Sequence, residues 1–263
     1  MNFRMCSLAS GSEGNAVFVE SDTLRILIDC GISFAALEKS LNELSVSPFD
    51  LDALLLTHEH IDHVRGLPVL LKKHDLPVYA SRGTFEGLAG HSFFPRLPKE
   101  RFRLFKAGES FTLKTSTITA IPVSHDAKEP VAFRGDSPEV HFASVTDLGM
   151  YDENLAEQLR DLDFLLLEAN HDPSMLEVGP YPYPLKLRIA GEKGHLSNES
   201  AGALIRSVSD GSLKEVLLGH LSKINNYPPL AQTTVENILR AAGGYMPELF
   251  VAPARELSHI MMK

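Results

Sequence analysis

Short apolar runs rich in β-branched residues recur along the chain, and they predict strands. Segments in which apolar residues recur at helical spacing lie between them and predict helices. The predicted strands cover Ala16 to Val19, Leu24 to Ile28, Ala53 to Thr57, Val78 to Ala80, Ser116 to Ile121, Val140 to Thr146, Phe164 to Glu168, Glu215 to Leu218 and Leu249 to Ala252. The predicted helices cover residues 33–44, 62–74, 83–90, 152–161, 197–208 and 229–241. Strands near both ends with helices interspersed predict a layered α/β protein.

The chain carries no internal repeat, low-complexity tract or long linker, so we expect one domain over residues 1–263. Hydrophobic residues make up 44% and charged residues 22%, ordinary proportions for a soluble protein. No apolar run reaches the roughly 18 residues that a membrane span needs, and the N-terminus lacks the apolar segment of a signal peptide. The two cysteines, Cys6 and Cys30, lie in apolar stretches and are expected to be reduced, buried thiols. A cytoplasmic protein is predicted.

The formal net charge is −9, so no global positive field attracts a nucleic-acid backbone. This counts mildly against nucleic-acid binding. It is not decisive, because a bound metal would add positive charge where a phosphate binds.

A dense cluster of ligand-type side chains directly follows the third predicted strand, in the order His58-Glu59-His60-Ile61-Asp62-His63. Histidine offers a neutral nitrogen and aspartate a hard oxygen, which suit zinc and, less tightly, manganese or iron. His58 and His60 point the same way in extended backbone, and the turn into the next helix brings Asp62 and His63 to the same place. Such a pattern should arise by chance about once in a thousand chains of this composition. The cluster therefore predicts hydrolytic metal chemistry.

Four such ligands cannot fill two metal sites, so further ligands must come from distant segments. His125, Asp147 and His220 each follow an apolar run, as residues at strand ends do. Taken alone, each such residue is more often a polar residue at the surface or at the edge of the core. The repeated placement of ligand-type residues at strand ends favours metal binding.

With these residues the sequence resembles the metallo-β-lactamase superfamily, whose motifs run H-x-H-x-D-H, then His, then Asp or Cys, then His. The resemblance implies an αβ/βα four-layer sandwich with two divalent metal ions. It implies His58, His60 and His125 at one metal, Asp62, His63 and His220 at the other, and Asp147 as a bridge. Asp29 matches the early strand-end aspartate of the superfamily, which supports the ligands.

Asp147 narrows the resemblance, because the commonest zinc β-lactamases carry cysteine there, whereas glyoxalase II-like thioesterases and phosphodiesterases keep aspartate. Further stretches closely resemble the YycJ/WalJ-type family of bacterial metallo-β-lactamase-fold proteins, which is associated with DNA exonuclease activity. These stretches are 8–16, 124–130, Glu168-Ala169-Asn170-His171-Asp172, Gly194-His195-Leu196-Ser197-Asn198 and 220–226. One departure is Glu13, an acidic group where a small polar residue is expected, in a loop where phosphate contact is expected.

His195 precedes a helix that Ser197 or Asn198 could cap, and helix N-termini favour anions. A histidine outside the metal ligands can protonate the alkoxide that phosphodiester cleavage leaves behind. The alternative is a structural hydrogen bond at the helix start. The polar and cationic residues expected to hold phosphates are Lys186, Arg188, Lys193, Ser197 and Asn198; for the three cations, an ordinary surface role is the alternative.

We therefore expect a metal-dependent phosphodiesterase, a DNA exonuclease in which two ions hold the scissile phosphate and a bridging hydroxide attacks it. Asp62 would bind metal and orient that hydroxide, and His195 would assist the leaving group. Zinc, manganese and iron all suit the ligands. One alternative is a glyoxalase II-like thioesterase or lactonase; another is a non-enzymatic binding protein, which predicts lost ligands.

Overall fold

A computed structural model describes residues 3–263, and in it two mixed sheets of seven strands pack face to face. The first sheet has the strand order β14-β1-β2-β3-β4-β5-β6. Its strands are β1 (Arg4–Ala9), β2 (Ala16–Glu20), β3 (Arg25–Ile28), β4 (Ala53–Leu56), β5 (Val78–Ser81), β6 (Phe102–Phe105) and β14 (Met261–Met262). Strands β3 to β6 run parallel to one another, so their carboxyl ends lie along one edge.

The second sheet has the order β13-β12-β11-β10-β9-β8-β7. Its strands are β7 (Ser110–Leu113), β8 (Ser116–Pro122), β9 (Val131–Asp136), β10 (His141–Val145), β11 (Phe164–Glu168), β12 (Glu215–Gly219) and β13 (Glu248–Val251). Strands β10 to β13 are parallel and β7 to β10 are joined antiparallel. This sheet therefore also presents a row of parallel carboxyl ends.

Helices flank the two sheets. The helices within residues 3–263 are α1 (Phe34–Glu43), α2 (Ile61–Val64), α3 (Leu67–Lys73), α4 (Arg82–Gly87), α5 (Glu153–Gln158), α6 (Pro173–Val178), α7 (Tyr183–Ala190), α8 (Asn198–Val208) and α9 (Pro228–Ala242). Apolar residues of α1 and α3 pack on the first sheet, and those of α5, α8 and α9 pack on the second. The layers are thus helix, sheet, sheet, helix, which confirms the predicted αβ/βα sandwich.

Strands buried on both faces explain the continuous apolar runs in the sequence. In β11, Phe164 and Leu166 point into the core between the sheets, whereas Leu165 and Leu167 point to the helices. All four side chains are fully buried, and each contributes about 1.5–3 kcal/mol of hydrophobic free energy. Cys6 and Cys30 are free and buried as expected, and burial raises the pKa of both thiols to about 12. Across residues 3–263, no helix combines the length and apolarity that a membrane crossing requires.

The structure corrects the predicted helix over 62–74, which is two helices separated at Arg65 and Gly66. The chain there passes directly against the loop after β3, where the Gly66 amide donates to the Cys30 carbonyl at 2.7 Å. A Cβ on Gly66 would lie 2.1 Å from the Ile32 carbonyl oxygen. The close approach forces the break. The elements that the sequence prediction missed are β1, β6, β7, β9, β14, α6 and α7.

Gly31 brings the loop after β3 against the backbone that carries Asp62. A Cβ on Gly31 would lie 1.6 Å from the Asp62 carbonyl oxygen. We therefore expect Gly31→Ala to lower the free energy of unfolding by about 3 kcal/mol and to reduce metal content, because Asp62 must shift. Urea denaturation and metal analysis measure both. Gly90→Ala is the matched control, since a Cβ there meets nothing within 4 Å; equal losses in the two variants would contradict the steric account.

Candidate metal centre

The predicted ligands meet where the carboxyl ends of strands from both sheets come together. They are His58, His60, Asp62 and His63 from the first sheet and the start of α2, and His125, Asp147 and His220 from the second sheet. In two groups, His58 with His60 and His125, and Asp62 with His63 and His220, the ligand atoms lie within 4.8 Å of one another. The structure therefore brings all seven together, in the two groups that the resemblance implied.

Asp147 lies between the two groups. Its Oδ2 is 3.3 Å from His63 Nε2, and its Oδ1 is 3.8 Å from His125 Nε2 and 3.5 Å from His220 Nε2. Only 2% of Asp147 is exposed. A carboxylate so placed can contact cations on both sides at once.

Asp29 and Thr57 orient the first-sheet histidines from behind. Asp29 Oδ2 lies 2.7 Å from His63 Nδ1 and accepts from the Thr57 hydroxyl at 2.8 Å. Thr57 Oγ1 is in turn 3.0 Å from His58 Nδ1. Because Nδ1 of each ring is engaged, Nε2 points to the cluster; a carboxylate on the other ring nitrogen also makes the imidazole a stronger ligand.

Glu168 orients two histidines from behind in the second sheet, a role that was not predicted from the sequence. Its Oε1 lies 2.7 Å from His220 Nδ1 and 2.8 Å from His195 Nδ1. Its Oε2 accepts from the amides of Leu148 and Leu196 at 3.0 and 3.1 Å. The side chain is fully buried. A charged residue ending an otherwise apolar strand was the signal available in the sequence, because a buried carboxylate must be paired.

Three of the polar residues at strand ends adopt left-handed backbone conformations. The φ angles are 62° at Asp29, 58° at Asp147 and 56° at His220. This conformation costs of order 1–3 kcal/mol at a non-glycine residue and persists where packing enforces it. The bend turns each side chain from the strand direction into the cluster.

Burial and neighbouring charges shift the pKa values of the cluster in opposite directions. Burial and the neighbouring His63 hold the pKa of His58 well below its usual value, which keeps the ring neutral. Burial also opposes charge on His63, but the Asp147 and Asp29 carboxylates outweigh it and raise that pKa to about 9. Burial disfavours the Asp147 carboxylate, yet His220 and His63 lower its pKa. The cluster thus pairs charged carboxylates with histidines whose pKa values those carboxylates raise.

The donor set fits a divalent metal. His58 Nε2, His220 Nε2 and Asp147 Oδ2 are buried without a hydrogen-bond partner among residues 3–263. Leaving such atoms unpaired costs about 1–3 kcal/mol each, and all three are of metal-ligand type. Coordination to a cation would satisfy them.

A cavity of about 320 Å³ opens beside the cluster, and His60, His195 and Arg188 help to line it. The His195 side chain is 22% exposed, with Nδ1 held by Glu168. Burial acts against an imidazolium at His195, but the Glu168 carboxylate outweighs it and raises the pKa. The ring is therefore fixed in orientation and biased to hold a proton.

The residues predicted to hold phosphate divide into two sets. Arg188 borders the cavity, with its guanidinium paired to Asp126 at 2.6 Å. Lys193 is exposed, whereas Lys186 is half-buried and donates to the Glu177 carbonyl oxygen at 2.6 Å; neither residue lines the cavity. Ser197 caps α8. Asn198 is a correction: it is fully buried and exchanges hydrogen bonds with Asn226, so its amide is not free for phosphate.

Comparisons with known proteins agree with this geometry. The family model described as a Beta-lactamase superfamily domain matches residues 24–220. Exodeoxyribonuclease WalJ of Streptococcus pneumoniae is 37% identical over 243 residues, 92% of this chain and 90% of that protein. Exodeoxyribonuclease YycJ of Bacillus anthracis is 33% identical over 250 residues, 95% and 94% of the two chains. The metallo-β-lactamase-fold protein YhfI of Bacillus subtilis superposes with a TM-score of 0.74 at 17% identity, over all of both chains, which shows the fold.

Fold, cluster and relatives together define a metal-dependent hydrolase. The chain belongs to the metallo-β-lactamase superfamily and, within it, to the WalJ/YycJ family. The family resemblance drawn from the sequence is thereby confirmed, and a non-enzymatic binding protein is set aside.

Removal of metal should measurably destabilise the protein, because His58 Nε2, His220 Nε2 and Asp147 Oδ2 would then be buried without a partner. A ligand at 100 times its dissociation constant adds about 2.7 kcal/mol, so we expect a chelator to lower Tm by roughly 5–10 °C. Differential scanning calorimetry with and without chelator, followed by metal add-back, measures this. An unchanged Tm in protein whose metal loss is verified by elemental analysis would contradict metal binding at a buried cluster.

Proposed function

We propose that this protein is a DNA exonuclease with a dinuclear metal site, and that residues 1–263 act as one hydrolase domain. The two groups around Asp147 would each hold one divalent ion, zinc or manganese, with iron also suited to the ligands. When bound, such ions would polarise a phosphoryl oxygen and generate the nucleophile from water, the bridging hydroxide expected from the sequence. Asp62, whose Oδ2 lies 3.6 Å from His63 Nε2, would bind metal and orient the attacking group.

The pairing of His195 with Glu168 carries the proposal. Cleavage of a phosphodiester expels an alkoxide, which is a poor leaving group unless it receives a proton. His195 borders the cavity, and the Glu168 carboxylate fixes its Nδ1 and favours the protonated ring. A thioester expels a thiolate, which needs no such donor. The exodeoxyribonuclease names of relatives that align over more than nine tenths of this chain support the same substrate class.

End-labelled single- and double-stranded DNA, incubated with protein loaded with Mn, Zn or Fe, tests the proposal. We expect progressive shortening from an end, resolved on denaturing gels. Absence of degradation with all three metals would overturn the nuclease function.

A second comparison separates phosphodiester from small-molecule hydrolysis. Bis-p-nitrophenyl phosphate and a glutathione thioester are offered to the same metal-loaded preparation. We expect turnover of the phosphodiester in clear excess. Thioester turnover without phosphodiester turnover would favour the glyoxalase II-like alternative instead.

A further inference from the structure

A single glutamate, Glu13, contacts three cationic side chains. Glu13 Oε2 pairs with Lys223 Nζ at 2.5 Å and with Arg255 Nε at 2.7 Å. Arg65 Nη1 donates to the Glu13 carbonyl oxygen at 3.0 Å. Within residues 3–263, none of these three cations makes another hydrogen bond or ion pair. They come from three separate parts of the chain: the α2–α3 break, the segment after β12 and the segment after β13.

The cluster adjoins the metal cavity. Ser12 and Ser222, which precede Glu13 and Lys223 in the chain, line that cavity. On its other side, Arg65 and Arg255 line an open groove of about 600 Å³. Two of these cations pair with the Glu13 carboxylate and Arg65 contacts its main-chain carbonyl, so the three cations outnumber the single carboxylate among them, whereas the whole chain carries −9. The cluster is therefore placed where a strand held at the metal centre would continue.

The Glu13 ion pairs contribute little to the free energy of unfolding. The carboxylate side chain is 45% exposed, Lys223 41% and Arg255 73%, and ion pairs at such exposure contribute little to folding. Hydrogen bonds from Lys223 and Arg255 lower the pKa of Glu13, so it is charged at neutral pH. An exposed carboxylate between a lysine and an arginine occupies the position that a phosphate would take.

We propose that Lys223 and Arg255, supported by Arg65, form a second phosphate subsite for a backbone phosphate next to the scissile one. Glu13 occupies this subsite in the free protein, and nucleic acid must displace it. The subsite rests on the proposed nuclease function and deepens it. Glu13 thereby weakens binding of the strand and favours release of the shortened product.

Binding of a short single-stranded phosphorothioate oligonucleotide to the metal-loaded protein tests the subsite by fluorescence anisotropy. We expect Glu13→Gln to lower Kd about two- to fivefold, the range for one exposed ion pair. The double variant Lys223→Ala/Arg255→Ala should bind more weakly and reduce the slope of log K against log salt by about 0.7 for one lost phosphate contact. In that double background, Glu13→Gln should tighten binding much less, because the two cations for which Glu13 and the phosphate compete are gone.

Glu157→Gln on α5 is the matched control, since it makes the same change in net charge and breaks an exposed pair with Arg160, which follows that helix. Equal tightening by Glu13→Gln and Glu157→Gln, or equal tightening in both backgrounds, would reduce the effect to net charge and overturn the subsite. Turnover of bis-p-nitrophenyl phosphate by the wild-type protein without oligonucleotide binding would overturn the subsite while leaving a phosphodiesterase. Absence of turnover of both that substrate and DNA by the wild-type protein would instead overturn the proposed function.

Discussion

Replacement of His195 by Ala is expected to slow hydrolysis of DNA by about 10²–10⁴-fold, the usual contribution of a positioned general acid, without loss of metal. The reason lies in the Glu168–His195 hydrogen bond of 2.8 Å, which leaves the other ring nitrogen free to face the cavity. The penalty should be much smaller on bis-p-nitrophenyl phosphate, because p-nitrophenolate departs without a proton. Single-turnover rates on both substrates, with metal content by elemental analysis, measure the difference.

His141→Ala is the control for this variant. His141 Nδ1 lies 2.7 Å from Asp136, a similar pair of imidazole and carboxylate at the opposite end of β10. Its removal should leave both rates near the wild-type values. An equal loss of rate on the two substrates in His195→Ala would contradict proton donation. Loss of metal in that variant would instead identify His195 as a ligand, since its ring nitrogen lies within 4.8 Å of ligand atoms of Asp147 and His220.

Glu168→Gln should slow hydrolysis of DNA nearly as much as His195→Ala does, because one oxygen of Glu168 contacts both His195 and His220. Glutamine keeps the shape but replaces an acceptor by a donor, so at least one of the four groups now paired with the carboxylate loses its partner. We expect metal affinity to fall about 10–100-fold, as for other residues that orient metal ligands. Hydrolysis should stay at least 10²-fold slow at saturating metal, since excess metal does not reorient His195. Metal titration followed by rate measurement separates the two effects.

Glu20→Gln provides the comparison. Glu20 is also buried, and it accepts hydrogen bonds from Arg4 and Arg25 at the end of the first sheet opposite the metal cluster. Its replacement should lower stability and leave turnover per folded molecule unchanged. Were Glu168→Gln to behave in the same way at saturating metal, Glu168 would be a purely structural residue.

Elements that contain clear apolar runs could be predicted from the sequence, whereas several missed ones lack such runs. Strand β1 is an exception, since it is buried from Met5 to Ala9 yet was not predicted. Strands β4, β11 and β12 are buried on both faces and contain apolar runs, such as Leu54-Leu55-Leu56 and Leu165-Leu166-Leu167. Helix α7 has no buried residue, so its sequence carries no amphipathic period. In β9, Arg134 and Asp136 interrupt the apolar residues, and they pair with each other instead of facing the core. These elements depend on tertiary neighbours that local periodicity does not reveal.

The candidate ligands were predictable because each carries a distinctive atom type at the end of an apolar run. Their supporting residues were harder to find, since Glu168 and Thr57 become meaningful only through contacts across the sheets. The opposite error occurred at Asn198, where a polar residue beside His195 suggested a substrate contact. It is buried at the first position of α8, and its partner Asn226 lies 28 residues further along the chain. The type of each side chain could be taken from the sequence, but where the side chain points depends on the folded structure.

The split of the proposed ligands between the two sheets sets an order of events during synthesis. Residues up to His63 leave the ribosome early, but His220 follows more than 150 positions later. A nascent chain therefore has no complete metal site until nearly the whole second sheet has been made and docked. The four ligands of the first sheet could contact a cation earlier, but the full set of seven exists only once the two sheets have docked.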